Sequence, residues 1–431
     1  MSTLDRAARL FGDVREGEAA RAFTLLLSFF MLMAAYYVLK TVREPLVLAT
    51  GGQMGKVAGV ALQAGVLLVG VSIYRRLVAR VGRDRLMLGV FFFFFLCVQL
   101  FCVAAWFDVP GLGLVFYVWV GVFNLAMIAQ FGSFANDIYT KEEGERLFPM
   151  IWVGATVGAT AGSYLAGDLF EILGVVYTLE AAAVLLLGHI ALLRIVQRRV
   201  PGGERIVAQQ PASFSHVLDS PYLVRVALVM LLLNVVNTTG ELVLSGVVNR
   251  DALEAAAAAG LTGKEAAAFK DVRVGRFYSD FFVWVNVSVV VVQSVVVSRL
   301  VKYAGFRVLL LVLPIVSLGA YGLVAAGAGL AMFRVVKMAE NTADYSAMNT
   351  ARGILWLPTT PEEKFSAKQI IDSFVVRVGD LVAAGVLYVG MQWAGLNDAQ
   401  FAMVNLLVIV PWIVLSLSIA RRYQALAETG T

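Results

Sequence analysis

The sequence has few of the residues from which most metal sites, disulfides and active sites are built. Among 431 residues there are two cysteines and two histidines, and 15% of the residues are charged. Cys97 and Cys102 lie in one apolar run, so we predict two reduced packing residues and no disulfide. His189 and His216 are far apart, without the spacing of metal ligands. No Gly-rich phosphate loop or Ser/His/Asp set occurs, so the sequence predicts neither an enzyme nor a cofactor.

Polar stretches are also scarce, and apolar residues fill their place. Hydrophobic residues make up 60% of the chain, and the mean hydropathy is +0.80. Soluble domains contain roughly 45–50% apolar residues. Several apolar runs reach the roughly 20 residues that a helix needs to cross a bilayer. The net charge of +5 is not gathered into a basic block, so no nucleic-acid partner is predicted. We predict an all-α, multi-pass protein embedded in a lipid bilayer.

Hydropathy places twelve membrane spans. They cover residues 22–48, 54–74, 86–107, 111–138, 147–169, 174–196, 221–249, 275–300, 306–328, 330–356, 366–394 and 399–420. A polar linker with Pro201 and Pro211 follows span six. The predicted organisation is a cytoplasmic N-terminal segment (1–21), a six-helix half (22–196), a cytoplasmic linker (197–220), a second six-helix half (221–420) and a cytoplasmic tail (421–431).

The two halves repeat one another in their loops. After span two, residues 76–82 read RLVARVG, and after span eight, residues 299–305 read RLVKYAG, with four of seven positions identical. Paired glutamates follow span four (142–143) and span ten (362–363). Both pairs are separated by about 220 residues, which is typical of the parallel repeats of major facilitator transporters.

Arginine and lysine in short loops predict the orientation. They follow spans two, six, eight and twelve, whereas the loops after spans three, five, nine and eleven have none. Basic loops stay on the cytoplasmic side. We therefore predict a protein of the cell (inner) membrane with both termini cytoplasmic. One outer segment, 251–273, carries basic residues and is predicted to form a short external helix.

Charges interrupt the first span. Lys40, Arg43 and Glu44 follow Tyr36 and Tyr37 in an otherwise apolar helix. One charge at membrane depth costs at least roughly 2.5–3.5 kcal/mol on insertion scales. The i,i+3 and i,i+4 spacings place the three charges on one helical face, which must meet protein or water. This face is the first indication of a polar pathway.

Three other spans carry unusual polar residues, and in a two-half transporter these are the spans that line a central cavity. The candidates are Asn136 and Asp137 in span four, Asn237 and Glu241 in span seven (with Asn234 and Thr238), and Lys337, Asn341, Asp344 and Arg352 in span ten (with Arg334 and Glu340). The open alternatives are an interfacial position or pairing with Glu340 for Arg334 and Lys337, and structural ion pairs between helices for Asp372, Arg377 and Asp380 in span eleven.

Gly154, Gly158 and Gly162 in span five predict close helix packing, with a hinge as the alternative.

At these residues the chain resembles the bacterial and plastid ATP/ADP translocase family, whose members have the major facilitator fold. The similar segments are Leu39 to Val47; Phe134 to Ile138 with Glu143 to Pro149; Asn234 to Glu241; and Asn349 to Pro358 with Glu363 to Gly379. Arg43 and Arg352 fall at lysines of the family pattern. Asn237 falls at its glutamate, Gly353 replaces another glutamate, and Asp380 replaces a lysine.

The resemblance implies an alternating-access exchanger of ATP, ADP or a related nucleotide, a small-molecule substrate. Lys40, Arg43 and Arg352 would hold the anion. Glu241, Asp137 and Asp344 would act as counter-ions, position the base or sugar, or couple protons, and Glu44 is a further candidate substrate-binding residue. Two alternatives stay open, because several charges of the family pattern are shifted: proton-coupled transport of another organic metabolite, with Glu241 as the proton site, and a non-transporting membrane sensor or partner protein. The sequence leaves the oligomeric state open.

Overall fold

The computed structural model describes residues 14–15, 18–78, 83–197 and 217–429. Most of the predicted N-terminal segment and of the linker lies outside these residues, as does part of the loop after span two. Within them the chain is helical and connected by short turns. The α-helices are α1 (Ala19–Val78), α2 (Arg83–Trp106), α3 (Leu112–Ile138), α4 (Lys141–Gln197), α5 (Pro221–Ala258), α6 (Gly263–Val291), α7 (Gly305–Ala325), α8 (Leu330–Ala343), α9 (Asn349–Leu355), α10 (Pro361–Ile370), α11 (Val376–Gln392) and α12 (Asp398–Thr429).

Short π-helical segments interrupt the second half of the chain. They cover Val292–Val297, Leu300–Ala304, Asp344–Met348 and Ile371–Val375. Such segments are frequent at functional sites. Asp344, one of the candidate site residues, begins the third of them.

Glycines break the two longest helices. Gly52 has φ 58° inside α1, and Gly174 has φ 77° inside α4. Glycine adopts this left-handed region without the steric cost that a Cβ brings. Both breaks fall where the sequence predicts one span to end and the next to begin. Seven helical stretches of the described residues are long and apolar enough to cross a membrane, and the count of twelve spans stays a prediction.

The prediction of a separate external helix over 251–273 is wrong. Asp251 to Ala258 continues α5, and Gly263 begins α6, which carries the basic residues of this segment. Alanine has the highest helix propensity, so the Ala-rich sequence extends the helix beyond the apolar part. The chain turns between Ala258 and Gly263, where Gly260 and Gly263 have φ of 73° and 57°.

The chain forms two compact units. Among the described residues, unit 1 contains those within 1–50, 73–208 and 267–283, and unit 2 contains those within 51–72, 209–266 and 284–431. Helices α1 and α6 each contribute segments to both units. The arrangement as two repeated six-helix halves remains a prediction.

The glycine ridge of α4 packs closely in unit 1. A Cβ on Gly158 would lie 2.3 Å from the carbonyl oxygen of Phe30, and one on Gly162 would lie 2.3 Å from that of Ala34. The two helices therefore meet backbone to backbone, as small residues allow in membranes. This confirms close packing as the role of the ridge, which begins with Gly154.

Candidate functional site

The charges of the first span form a half-buried cluster in unit 1, called here the cation cluster (Lys40, Arg43 and Glu44). Glu44 is 1% exposed, and Lys40 and Arg43 are intermediate. This confirms that their helical face meets protein and not lipid alone. Pro45 follows directly, and it removes the backbone donor that would pair with the carbonyl of Thr41.

Arg43 holds two partners at once. Its Nη2 donates to Glu44 Oε1 at 2.5 Å, and its Nε donates to the same oxygen at 3.1 Å. Its guanidinium lies 4.4 Å from the ring centroid of Tyr117 on α3. An arginine is suited to this double role, because its planar group can stack and form hydrogen bonds together.

Lys40 lies on aromatic rings. Its Nζ is 4.1 Å from the ring centroid of Phe282 and 5.0 Å from that of Tyr37. Ring faces attract a cation through their quadrupole without cancelling its charge. Lys40, Arg43 and Glu44 together carry one net positive charge.

Asn136 does not join the cation cluster. It follows Tyr117 by 19 residues on the continuous helix α3, which is a rise of about 28 Å. It lines a cavity of about 640 Å³ with Tyr139, Thr140, Gly144, Glu145, Phe148, Pro149 and Trp152. The two segments of the second family-like motif thus share one aromatic cavity. The side chain of Asp137 is outside the described set.

Unit 2 contains a buried polar group, called here the acid network (Asn237, Glu241, Lys337, Glu340 and Asn341). Lys337 Nζ is 1% exposed and donates to Glu340 Oε2 at 2.8 Å, to Asn237 Oδ1 at 2.8 Å and to the carbonyl of Asn237 at 3.2 Å. An ammonium group has three donors, and these contacts use all of them. The acid network therefore includes one lysine and two glutamates.

Glu340 is the structural acid of this network. Besides Lys337, it accepts hydrogen bonds from Tyr321 at 3.1 Å and from Ser317 at 3.0 Å, both on α7. Gly240 permits this arrangement, since a Cβ there would lie 1.8 Å from the Tyr321 hydroxyl oxygen. The parts that Ser317, Tyr321 and Gly240 play here were not predicted from the sequence. A hydroxyl-bearing pair at i,i+4 in an apolar span was the available signal.

Glu241 is the accessible acid of the network. Its side chain is 28% exposed and lies 3.7 Å from Lys337 Nζ. Asn341 Nδ2 donates to Glu241 Oε1 at 3.0 Å. Glu241 is therefore attached to a lysine whose donors are already engaged by Glu340 and Asn237.

The polar stripe of α5 serves two different partners. Asn234 Nδ2 and Thr238 Oγ1 donate to Asp380 Oδ1 on α11 at 2.8 and 2.9 Å, and Asp380 also pairs with Arg377 at 2.8 Å. Asn237 faces the acid network. Arg377 and Asp380 do pair, but the expectation of an ion pair between helices is wrong for them: the pair lies within one helix, and only the hydrogen bonds from Asn234 and Thr238 link two helices.

Asp344 and Arg352 form a pair of their own. Arg352 Nη2 lies 3.1 Å from Asp344 Oδ1, and the side chains are 36% and 9% exposed. Arg352 thus has a carboxylate partner, as Arg43 does. This ion pair links the first residue of the third π-helical segment to α9, which follows it.

Comparison with family models and with curated proteins finds no match. Solved structures do match over nearly the whole chain. An inward-facing bacterial homologue of the iron transporter ferroportin is 15% identical, with a TM-score of 0.65 over 93% of this chain and 98% of that one. An auto-inhibited POT family peptide transporter is 12% identical, with a TM-score of 0.62 over 94% and 97%. The nucleoside transporter NupG is 14% identical, with a TM-score of 0.57 over 94% and 98%.

The chain has the major facilitator fold. This is a fold of multi-pass membrane transporters, which matches the class predicted from composition and polar spans. The neighbours carry different substrates, so at these identities the similarity shows the fold alone.

Proposed function

We propose that this protein is an alternating-access transporter of a phosphorylated organic anion, with ATP, ADP or a related nucleotide as the favoured substrate. The observation that carries the proposal is the cation cluster: two cations and one carboxylate on a membrane-spanning helix, held by aromatic rings. The fold supports transport, and the resemblance of the motif around Lys40 and Arg43 favours a nucleotide.

The contacts of the cluster leave charge for a substrate. A cation on an aromatic face gains roughly 0.5–2 kcal/mol, whereas hydrogen bonds to charged groups contribute about 1.5–3 kcal/mol each. A phosphate can therefore draw Lys40 away from Phe282 and Tyr37. Arg43 can meet phosphate oxygens with two parallel N–H groups when they replace Glu44 Oε1.

We assign the cavity at Asn136 to a different part of the solute from the phosphates. Its tyrosine, phenylalanine and tryptophan supply ring faces, and Asn136 supplies an amide. Bases stack on aromatic side chains with little dependence on base identity. We propose that this cavity receives the base while the solute enters or leaves.

A second candidate is proton-coupled transport of another organic metabolite. The acid network favours it, because one lysine is shared by two glutamates and Glu241 is the exposed one. Protonation of Glu241 would bring the three charged residues to neutrality and leave the Lys337–Glu340 pair intact. Ionisable groups inside membranes are typical of proton relays.

Binding by purified protein in detergent separates anion recognition from base recognition. ADP is expected to bind, inorganic pyrophosphate to compete with it, and adenosine to compete weakly. Lys40→Met should weaken ADP binding. Lys302→Met is the matched control, because Lys302 Nζ also lies on a ring, 5.2 Å from the centroid of Tyr303.

Arg43 needs a paired substitution. Arg43→Ala alone leaves the buried Glu44 without this partner, so weaker binding could reflect altered folding. Arg43→Gln with Glu44→Gln removes both charges and keeps the local charge balance. If the double variant and Lys40→Met both bind ADP like the unaltered protein, the cation cluster is not the anion site.

A further inference from the structure

A basic cavity lies at one end of two helices of unit 2, and none of its lining residues belongs to the acid network. Its volume is about 630 Å³, and it is lined by Arg225 of α5 and by Val414, Leu417, Ser418, Arg421, Arg422 and Ala425 of α12. We propose that it binds the headgroup of an anionic phospholipid.

The lining has one sign of charge. Its seven residues include three arginines and no carboxylate. Arg225 Nη1 donates to the carbonyl of Pro221 at 2.8 Å, which fixes its guanidinium at the start of α5. Three like charges around one cavity repel one another unless an anion lies among them. Arginine suits a phosphate because two of its N–H groups can meet two phosphate oxygens.

The remaining wall is apolar and continues along the helix. Leu407, Val410, Val414 and Ser418 follow one another at spacings of three or four residues, so they share one face of α12. Leu407 is 75% exposed and Val414 is 60% exposed. An exposed apolar face on a helix long enough to cross a membrane contacts acyl chains.

The combination selects a lipid and not a free anion. Arg421 and Arg422 stand where the apolar face of α12 ends, as a headgroup stands above its acyl chains. The distribution of loop arginines predicts that this end is cytoplasmic. Anionic lipids are concentrated in that leaflet, and basic pockets between membrane helices bind their headgroups.

The test is thermal unfolding of the full-length protein in detergent, titrated with phosphatidylglycerol, phosphatidylcholine, glycerol phosphate or inorganic phosphate. Phosphatidylglycerol should raise the midpoint temperature of the unaltered protein. The variant with Arg225→Gln, Arg421→Gln and Arg422→Gln should need roughly a hundredfold more lipid for half the shift, at about fivefold per arginine. Arg421→Gln alone, at an exposed side chain, should need about fivefold more.

Arg194→Gln is the matched control, because Arg194 is an exposed arginine in the last turn of α4. It should respond to phosphatidylglycerol like the unaltered protein. Equal shifts with phosphatidylcholine, or an equal loss in the control, would overturn the site. Saturation by glycerol phosphate or inorganic phosphate alone would show a site for soluble anions and overturn the lipid assignment. Unchanged lipid dependence in a folded Arg421→Gln variant would also reject it.

Discussion

The two units surround their charged clusters differently. In unit 1, Lys40 and Arg43 lie on aromatic rings, and Glu44 is the acid of that cluster. In unit 2, amide, hydroxyl and carboxylate oxygens surround Lys337 and Glu340. Ring faces attract a cation without cancelling its charge, although Arg43 also pairs with Glu44, whereas the three donors of Lys337 meet one carboxylate oxygen of Glu340 and two oxygens of Asn237. This difference underlies our proposal that the first cluster contacts the substrate and that Lys337 and Glu340 mainly stabilise the fold.

The largest expected effect on stability comes from removing Glu340 of the acid network. Glu340→Ala leaves Lys337, which is 1% exposed, without its closest carboxylate. Breaking a buried pair by removing one partner costs about 3–5 kcal/mol. We expect a large fall in the midpoint of thermal unfolding in detergent. Lys337→Met with Glu340→Leu should recover most of it, and a stable Glu340→Ala variant would contradict a structural role.

Lys40→Met should reduce the affinity for ADP more than it reduces the stability of the fold. A ring contact of Lys40 contributes roughly 0.5–2 kcal/mol, so we expect a modest loss in the free energy of unfolding. Losing a hydrogen bond to a charged phosphate should weaken ADP binding by about 1.5–3 kcal/mol, roughly 10- to 150-fold. Equilibrium binding and thermal unfolding measure the two quantities. A large loss of stability with normal ADP affinity would place Lys40 among the structural charges.

Gly240 tests how closely the acid network is packed. Gly240→Ala places a Cβ 1.8 Å from the Tyr321 hydroxyl oxygen and 2.9 Å from Lys337 Nζ. Overpacking of this kind costs about 1–3 kcal/mol. Tyr321→Phe removes the clashing oxygen, so thermal unfolding of the double variant should show partial recovery relative to Gly240→Ala. No loss in Gly240→Ala would mean that α5 and α7 are further apart.

The smallest expected effect lies in unit 1, at the N-terminal end of α1. Arg146 donates to both carboxylate oxygens of Glu18, at 2.8 and 3.0 Å, and holds the pKa of Glu18 below its ordinary value of 4.5. A lowered pKa stabilises the fold above pH 4.5, and this stabilisation is lost as the pH falls through the lowered pKa. Arg146→Gln should reduce stability by less than about 1 kcal/mol at neutral pH.

Unfolding midpoints measured across the acid range test this pair. The difference between the unaltered protein and Arg146→Gln should shrink below pH 4.5. A difference that stays constant into the acid range would show that Arg146 acts through packing and not through Glu18.

The sequence predicts the helical class and the polar helix faces well, because hydropathy and i,i+3/i,i+4 spacing depend on local order. It predicts that the face with Lys40 and Arg43 meets protein or water, and the structure shows protein contacts for both residues. It does not predict which partner each polar residue meets. Asn234 and Asn237 share one stripe, yet the first faces Asp380 and the second Lys337. A rotation of about 100° per residue separates neighbouring faces of a helix, and tertiary packing decides what covers each of them.

Similarity to family motifs also does not show which motifs lie close together in the fold. Asn136 belongs to a family-like motif, but about 28 Å of α3 separates it from the ring that contacts Arg43. Gly240 and Tyr321 escaped notice because their role depends on an approach between α5 and α7 that neither local sequence encodes.

Flux into proteoliposomes tests the central claim most directly. Labelled ADP is supplied outside vesicles that contain the purified protein, with or without internal ADP and with or without a pH gradient. We expect uptake that requires internal nucleotide, persists in Glu241→Gln and is lost in Lys40→Met. Uptake driven by the pH gradient alone, lost in Glu241→Gln and retained in Lys40→Met, would support proton coupling. Absence of ADP and ATP flux in folded protein would contradict nucleotide transport.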